Sequence, residues 1–167
     1  MPMLRLAPLA LLAVLFGGCG LFGGGAVAIP GSTPPPPEEP ALPPGPTSLT
    51  LVGQNDMNAG GNSARIFLYP LGSDGAFMAT PIQAFWEDPE GILGDDLAGT
   101  VRDATVRPGS SSALEEVTLD GAPLLGIAAD LRTPDGDTWR AVLPASQVRG
   151  RTLRITVSEG GIAVSSQ

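Results

Sequence analysis

The stretch "TLRITV" (residues 152–157) alternates polar and apolar side chains without a break. Successive side chains of a β-strand point to opposite faces of a sheet, so Leu153, Ile155 and Val157 share one face, opposite Arg154. This pattern is typical of a strand with one face buried and the other in water. The segment therefore predicts a β-sheet packed against a hydrophobic core.

The same alternation recurs through residues 48–167, a length that supports one hydrophobic core but not two. Leu49 and Leu51 alternate with polar residues, and turn signals such as Pro108-Gly109 separate the segments. The strands are predicted at 48–53, 64–71, 103–107, 113–119, 123–132, 138–143, 151–157 and 162–165. Their short, regular spacing predicts an all-β domain, an antiparallel β-sandwich.

Residues 72–100 interrupt this rhythm between the second and third predicted strands. Thr80-Pro81 has the pattern of a helix N-cap followed by the first helical residue. The apolar residues that follow have helical spacing. We expect a short helical insertion that packs against a sheet through Phe77, Ile82, Phe85, Trp86 and Leu93.

The N-terminal segment has the layout of an export signal. Residues 1–5 carry one positive charge, residues 6–16 are apolar, and Gly17 and Gly18 precede Cys19, the only cysteine. The apolar run is too short to span the ~30 Å hydrocarbon core of a bilayer as a helix. Small residues before a cysteine at this point resemble a bacterial lipobox, so residues 1–18 are interpreted as a lipoprotein signal peptide and Cys19 as the acylated residue.

Residues 19–47 are predicted to be a tether that begins at the acylated cysteine. The segment is rich in glycine and then in proline, and such a composition cannot bury enough apolar surface to fold. Its proline-rich half favours an extended polyproline II conformation, at ~3.1 Å per residue. The folded domain is therefore expected to work at a distance from the lipid.

The charged residues exclude several functional classes. The chain has a net charge of −8, and its nine cationic residues are all arginines. Nucleic acid is not an expected partner, because a polyanion is repelled by an acidic surface. The chain also has no histidine, which removes histidine-based general bases and nucleophile systems.

The acidic pairs do not form a recognisable catalytic or metal site. Asp95-Asp96 and Glu115-Glu116 are adjacent, so in a strand the two members of a pair point to opposite faces. Asp135 and Asp137 flank a glycine turn that needs no calcium to explain it. We therefore predict that the protein is not an enzyme and has no cofactor, no metal and no small-molecule substrate.

In order and spacing, several segments resemble the TssJ (SciN-like) outer-membrane lipoproteins of the type VI secretion system. The segments are "RIFLYPL" (65–71), "GAFMATPIQAFWEDPEGILGDDL" (75–97), "VRPGSSSALEEVTL" (106–119), "LLGIAADLR" (124–132) and "TWRAVLP" (138–144). The positions that fall on the family's recurrent pattern are Phe77, Phe85, Asp88, Leu93, Gly94, Asp96, Leu97, Pro108, Gly109, Trp139 and Arg140.

The resemblance implies a transthyretin-like sandwich held at the outer membrane by lipid and facing the periplasm. It implies binding to the periplasmic C-terminal part of TssM and, through TssM, connection to the TssL–TssM inner-membrane complex. The family's main contact element corresponds to residues 54–63, where Asp56, Met57, Asn58 and Asn62 are the expected partner-binding residues.

Two other functions are compatible with the sequence. A lipoprotein with a pocket between its sheets would bind a ligand in the periplasm. An envelope hydrolase would use carboxylates such as those of Asp95 or Asp96.

Overall fold

The computed structural model describes residues 45–166. The predicted signal peptide, Cys19 and the tether as far as residue 44 lie outside the described residues. No helix of the described part is long and apolar enough to cross a membrane.

Eight strands lie close to the predicted segments. The alternation of side chains locates their centres, whereas local turns set their ends: β6 begins at Arg140 because residues 135–139 form hydrogen-bonded turns. The strands are β1 (Thr47–Gly53), β2 (Ala64–Leu71), β3 (Arg102–Val106), β4 (Ser111–Val117), β5 (Leu124–Asp130), β6 (Arg140–Pro144), β7 (Thr152–Val157) and β8 (Ile162–Ser166).

The strands form two four-stranded sheets, ordered β4-β1-β7-β8 and β3-β2-β5-β6. The predicted sandwich is confirmed. One pair departs from the antiparallel expectation, because β1 and β7 are parallel, with Leu49 opposite Leu153 and Leu51 opposite Ile155. Alternation predicts which residues share a face but does not predict strand direction, so this pairing could not be derived from it.

The core between the sheets is built from the alternating residues. Leu51 and Ile155 of the first sheet, and Ile66 and Ile127 of the second, are buried in one apolar cluster. The outer face of the first sheet carries polar residues such as Arg154 and is partly exposed. The outer face of the second sheet carries the rings of Phe67 and Tyr69. These rings would be exposed to water if no other element packed on them.

Residues 72–101 pack on these rings. They form three short helices and a turn, whereas a single short helix was predicted. The elements are α2 (Gly75–Ala79), α3 (Ile82–Glu87), α4 (Pro89–Leu93) and a 3₁₀ turn (Gly94–Asp96), while α1 (Met57–Gly60) and α5 (Ala145–Val148) lie elsewhere. The predicted Thr80 N-cap was wrong. Pro81 is the N-cap residue of α3, and the Thr80 hydroxyl donates to the Ala76 carbonyl of the preceding helix at 2.7 Å.

Aromatic rings join these helices to the second sheet. The Phe85 ring lies 5.7 Å from Tyr69 and 5.2 Å from Trp139, and Phe77 lies 5.8 Å from Tyr69. Gly126 stands opposite Tyr69 in the neighbouring strand, and a Cβ there would lie 3.3 Å from the Phe77 ring. The predicted packing of the insertion on a sheet is confirmed.

Arg140 fixes the insertion to the sheet through polar contacts. Its side chain is buried, and one terminal nitrogen donates to the carbonyls of Phe77 (2.6 Å) and Thr80 (2.7 Å), while the other donates to Asp137 (2.6 Å). The guanidinium also lies 4.7 Å from the Trp139 ring centroid. The Arg140 side chain therefore fixes the C-terminal end of α2 and the residues that precede α3.

We expect Arg140→Met to destabilise the fold by ~2–4 kcal/mol, because the Phe77 and Thr80 carbonyls lose charged donors in a dry site. Chemical denaturation measures the free energy of unfolding of Arg140→Met and of a control variant, Arg65→Met. Arg65 pairs with Asp103 at 2.9 Å, but both side chains are about half exposed, so its loss should cost at most ~1 kcal/mol. Equal losses would show that Arg140 does not hold the insertion.

Candidate partner-binding surface

Four connections meet at one end of the sandwich, which we call the loop end. They are the β1–β2, β3–β4, β5–β6 and β7–β8 connections, at residues 54–63, 107–110, 131–139 and 158–161. The chain enters the described domain at the opposite end, where Ser48 donates to the Arg151 carbonyl and the Thr47 hydroxyl donates to the Val148 carbonyl. β1 therefore separates the loop end from the point where the tether joins.

The β1–β2 loop is pinned to the β7–β8 connection by its backbone. The amide of Asn58 donates to the Ser158 carbonyl at 3.0 Å, and the amide of Ala59 donates to the Glu159 carbonyl at 3.1 Å. The Gln54 amide donates to the Val157 carbonyl at 2.9 Å. These hydrogen bonds fix the backbone conformation of the loop.

The Asn58 side chain adds two further bonds. Its oxygen accepts from the Arg132 amide at 2.7 Å, and its nitrogen donates to the Ser63 carbonyl at 2.7 Å. Asn58 has φ of +49°, in the left-handed region that asparagine tolerates better than most residues. One asparagine thus closes the loop on itself and ties it to the β5–β6 connection.

Asn62 supports the same left-handed turn from the other side. Its side-chain nitrogen donates to the carbonyls of Asn58 (3.1 Å) and Ala59 (2.9 Å). Ala59 has φ of +58°, an unusual conformation for alanine that these contacts hold in place. The loop is therefore preformed.

The structure divides the four predicted contact residues into two groups. Asp56 is exposed and Asn62 is half-buried. Met57 and Asn58 are 0% and 3% exposed, so neither presents its side chain at the surface, contrary to the view of this loop as an exposed tip. Met57 belongs to the hydrophobic core, and Asn58 is satisfied by loop backbone. Their part in partner binding stays a prediction.

The other connections add exposed charges that the sequence reasoning did not assign to partner binding. Arg107 and Arg132 are exposed on the β3–β4 and β5–β6 connections, and Asp135 and Glu159 are exposed on the β5–β6 and β7–β8 connections. Arg107 and Arg132 are the last residues of predicted strands and Glu159 comes shortly after another, so strand ends were the signal available for finding them. The loop end presents both signs of charge around the preformed loop.

The remaining candidates are not brought together into a catalytic site. Asp95 is exposed, and the Asp96 carboxylate accepts a hydrogen bond from the Ser73 hydroxyl at 2.7 Å. Within residues 45–166, no three cysteine or carboxylate side chains are grouped so as to hold a metal ion. The described side chains in the core between the sheets are mostly apolar and buried.

Residues 46–160 match the family model described as "Type VI secretion lipoprotein, VasD, EvfM, TssJ, VC_A0113". The match spans strands β1 to β7, the insertion and all of the loop end but its last residue. The chain belongs to the TssJ family of type VI secretion lipoproteins.

Solved structures agree with this assignment. TssJ1 from Pseudomonas aeruginosa is 27% identical, with a TM-score of 0.62 over 74% of this chain and 98% of that one. A chain of the structure described as the TssM C-terminal domain from EAEC is 25% identical, with a TM-score of 0.64 over 71% and 99% of the two chains. Serratia marcescens Lip, a membrane-bound component of the type VI secretion system, shares the fold at 22% identity and a TM-score of 0.59, over 73% and 98% of the chains. No curated protein sequence matches the chain.

The family is one of structural secretion lipoproteins and not an enzyme family. The sequence-based assignment to the family is therefore confirmed, as are its fold and its description as a lipoprotein of a secretion membrane complex.

Proposed function

We propose that this lipoprotein binds the periplasmic C-terminal part of TssM through its loop end and so links the TssL–TssM inner-membrane complex to the outer membrane. The proposal is supported by the similarity to chains of a TssM C-terminal domain structure and of a type VI membrane complex, both at 25% identity. It is a linking function and requires neither catalysis nor a cofactor.

The preformed β1–β2 loop is the observation that carries the proposal. A loop with a fixed backbone loses little conformational entropy when it binds, so more of its contact energy becomes affinity. Around it, Arg107, Arg132, Asp135 and Glu159 offer charged groups that can select a partner by electrostatic complementarity. Asp56 lies exposed on the loop itself.

The opposite end of the domain suits attachment. We propose that Cys19 is acylated and that the tether, predicted as residues 19–47, joins the sandwich where β1 begins at Thr47, away from the loop end. An extended chain spans ~3.3 Å per residue, so residues 19–44 can hold the sandwich several tens of Å from the lipid. The loop end then faces the periplasm, where TssM is expected.

Asp56→Arg is expected to weaken binding to the periplasmic part of TssM at least tenfold, ~1.4 kcal/mol, because it reverses a charge within the proposed interface. Direct titration of the purified proteins measures this. Asp95→Arg makes the same charge change on the insertion, outside the loop end, and should bind like the unchanged protein.

Side-chain substitution tests this surface better than loop deletion, since deletion would also remove the buried Met57. If Asp56→Arg and Asp95→Arg bind TssM equally well, the loop end is not the contact surface. If only Asp95→Arg is weakened, the contact lies on the insertion.

We expect Cys19→Ser to remove the protein from the outer-membrane fraction. A serine hydroxyl is a much poorer nucleophile than a thiolate, so acylation should fail, and several acyl chains are what makes such attachment stable. Fractionation of cell envelopes with palmitate labelling measures both properties. Unlabelled variant protein that stays in the outer membrane would contradict attachment through Cys19.

A further inference from the structure

A cleft lies where the insertion meets the outer face of the second sheet, outside the loop end. It has a volume of about 240 Å³ and is lined by Phe67 and Tyr69 of β2, by Val101, and by residues 87–90 at the junction of α3 and α4. Its floor is therefore aromatic and its rim is acidic.

Two of the rim carboxylates have no cationic partner among the described residues. Glu87 and Glu90 are both exposed, and the ion pairs of the described residues are Arg65–Asp103 and Arg140–Asp137. Asp88 has a structural task, because its carboxylate accepts from the Gly91 amide at 3.1 Å and caps α4. The negative charge of Glu87 and Glu90 is thus available to a cation from outside.

Tyr69 adds a polar group to the cleft. The residue is only 1% exposed, yet its hydroxyl makes no hydrogen bond to another described residue. Burial, and then the negative charge of Glu90, raise the pKa of Tyr69 above its usual range, so the phenol stays protonated. Because Tyr69 lines the cleft, its phenol oxygen can accept a hydrogen bond from a donor on a bound ligand.

The aromatic floor already holds a guanidinium on one side. The Arg65 guanidinium carbon lies 4.8 Å from the Phe67 ring centroid, and Arg65 is paired with Asp103 at 2.9 Å. A ring together with a carboxylate is the combination that binds guanidinium groups. The cleft offers a similar combination next to Arg65, because it is lined by the half-buried Phe67 together with Glu87 and Glu90.

We propose that this cleft binds an arginine side chain of a partner protein. The planar guanidinium can stack on an aromatic face and donate to two carboxylates at once, whereas a lysine ammonium has no flat face. The net charge of −8 favours a basic partner segment. This second contact surface is independent of the loop end and of the proposed TssM contact.

Titration of the detergent-solubilised full chain with N-acetyl-arginine amide tests the proposal. Binding should shift the NMR signals of Phe67, Tyr69 and the nearby Trp86 indole, which lies 5.2 Å from Phe67. N-acetyl-citrulline amide, which has the same shape without the charge, should bind at least fivefold more weakly. Equal shifts from the two probes, or no shifts at the cleft, would overturn the proposal.

Three variants test which groups contribute to arginine amide binding. Glu87→Gln with Glu90→Gln should weaken arginine amide binding at least fivefold, whereas Asp74→Asn with Asp95→Asn removes the same charge outside the cleft lining and should leave binding unchanged. Tyr69→Phe should weaken binding at least twofold, because it removes only the hydroxyl. Equal binding by the two double variants would also overturn the proposal, since it would show that the cleft carboxylates do not bind the probe.

Discussion

The guanidinium of Arg140 is the contact on which the outer layer of the molecule depends. Helices of five and six residues are too short to be stable alone, so α2, α3 and α4 need tertiary contacts to form. Their rings cover Phe67 and Tyr69, and the Arg140 bonds to the Phe77 and Thr80 carbonyls fix where they sit. Because Arg140 is the first residue of β6, the sheet itself positions this donor.

The same layer creates the cleft. Phe67 and Tyr69 would form an exposed aromatic surface without the insertion, and the α3–α4 junction turns part of that surface into a recess with a carboxylate rim. A change that loosens the insertion should therefore disturb the cleft before it disturbs the sandwich core, whose side chains lie on the opposite face of the sheet.

Alternation predicted the strands well because the two-residue period of a strand is a local property. Leu153, Ile155 and Val157 needed only their spacing to be placed in the core. Contacts between distant segments were not predictable in this way. The Asn58 side chain bonds to Ser63 but also to Arg132, which lies 74 residues away. The Thr80 hydroxyl bonds to a carbonyl of the helix that begins at Gly75. The β1–β2 loop was thus located correctly along the chain, but the side chains that it exposes were not, and its part in partner binding stays a prediction.

The central claim is that a preformed loop end, and not the insertion or the tether end, contacts TssM. Hydrogen–deuterium exchange of the full chain, with and without the periplasmic part of TssM, tests it most directly. The account predicts that the amides of Asn58 and Ala59 are already protected in the free protein, because they donate to Ser158 and Glu159, and that TssM adds protection at residues 54–63 and 131–139. Rapid exchange of these amides in the free protein, or added protection confined to residues 72–101, would contradict it.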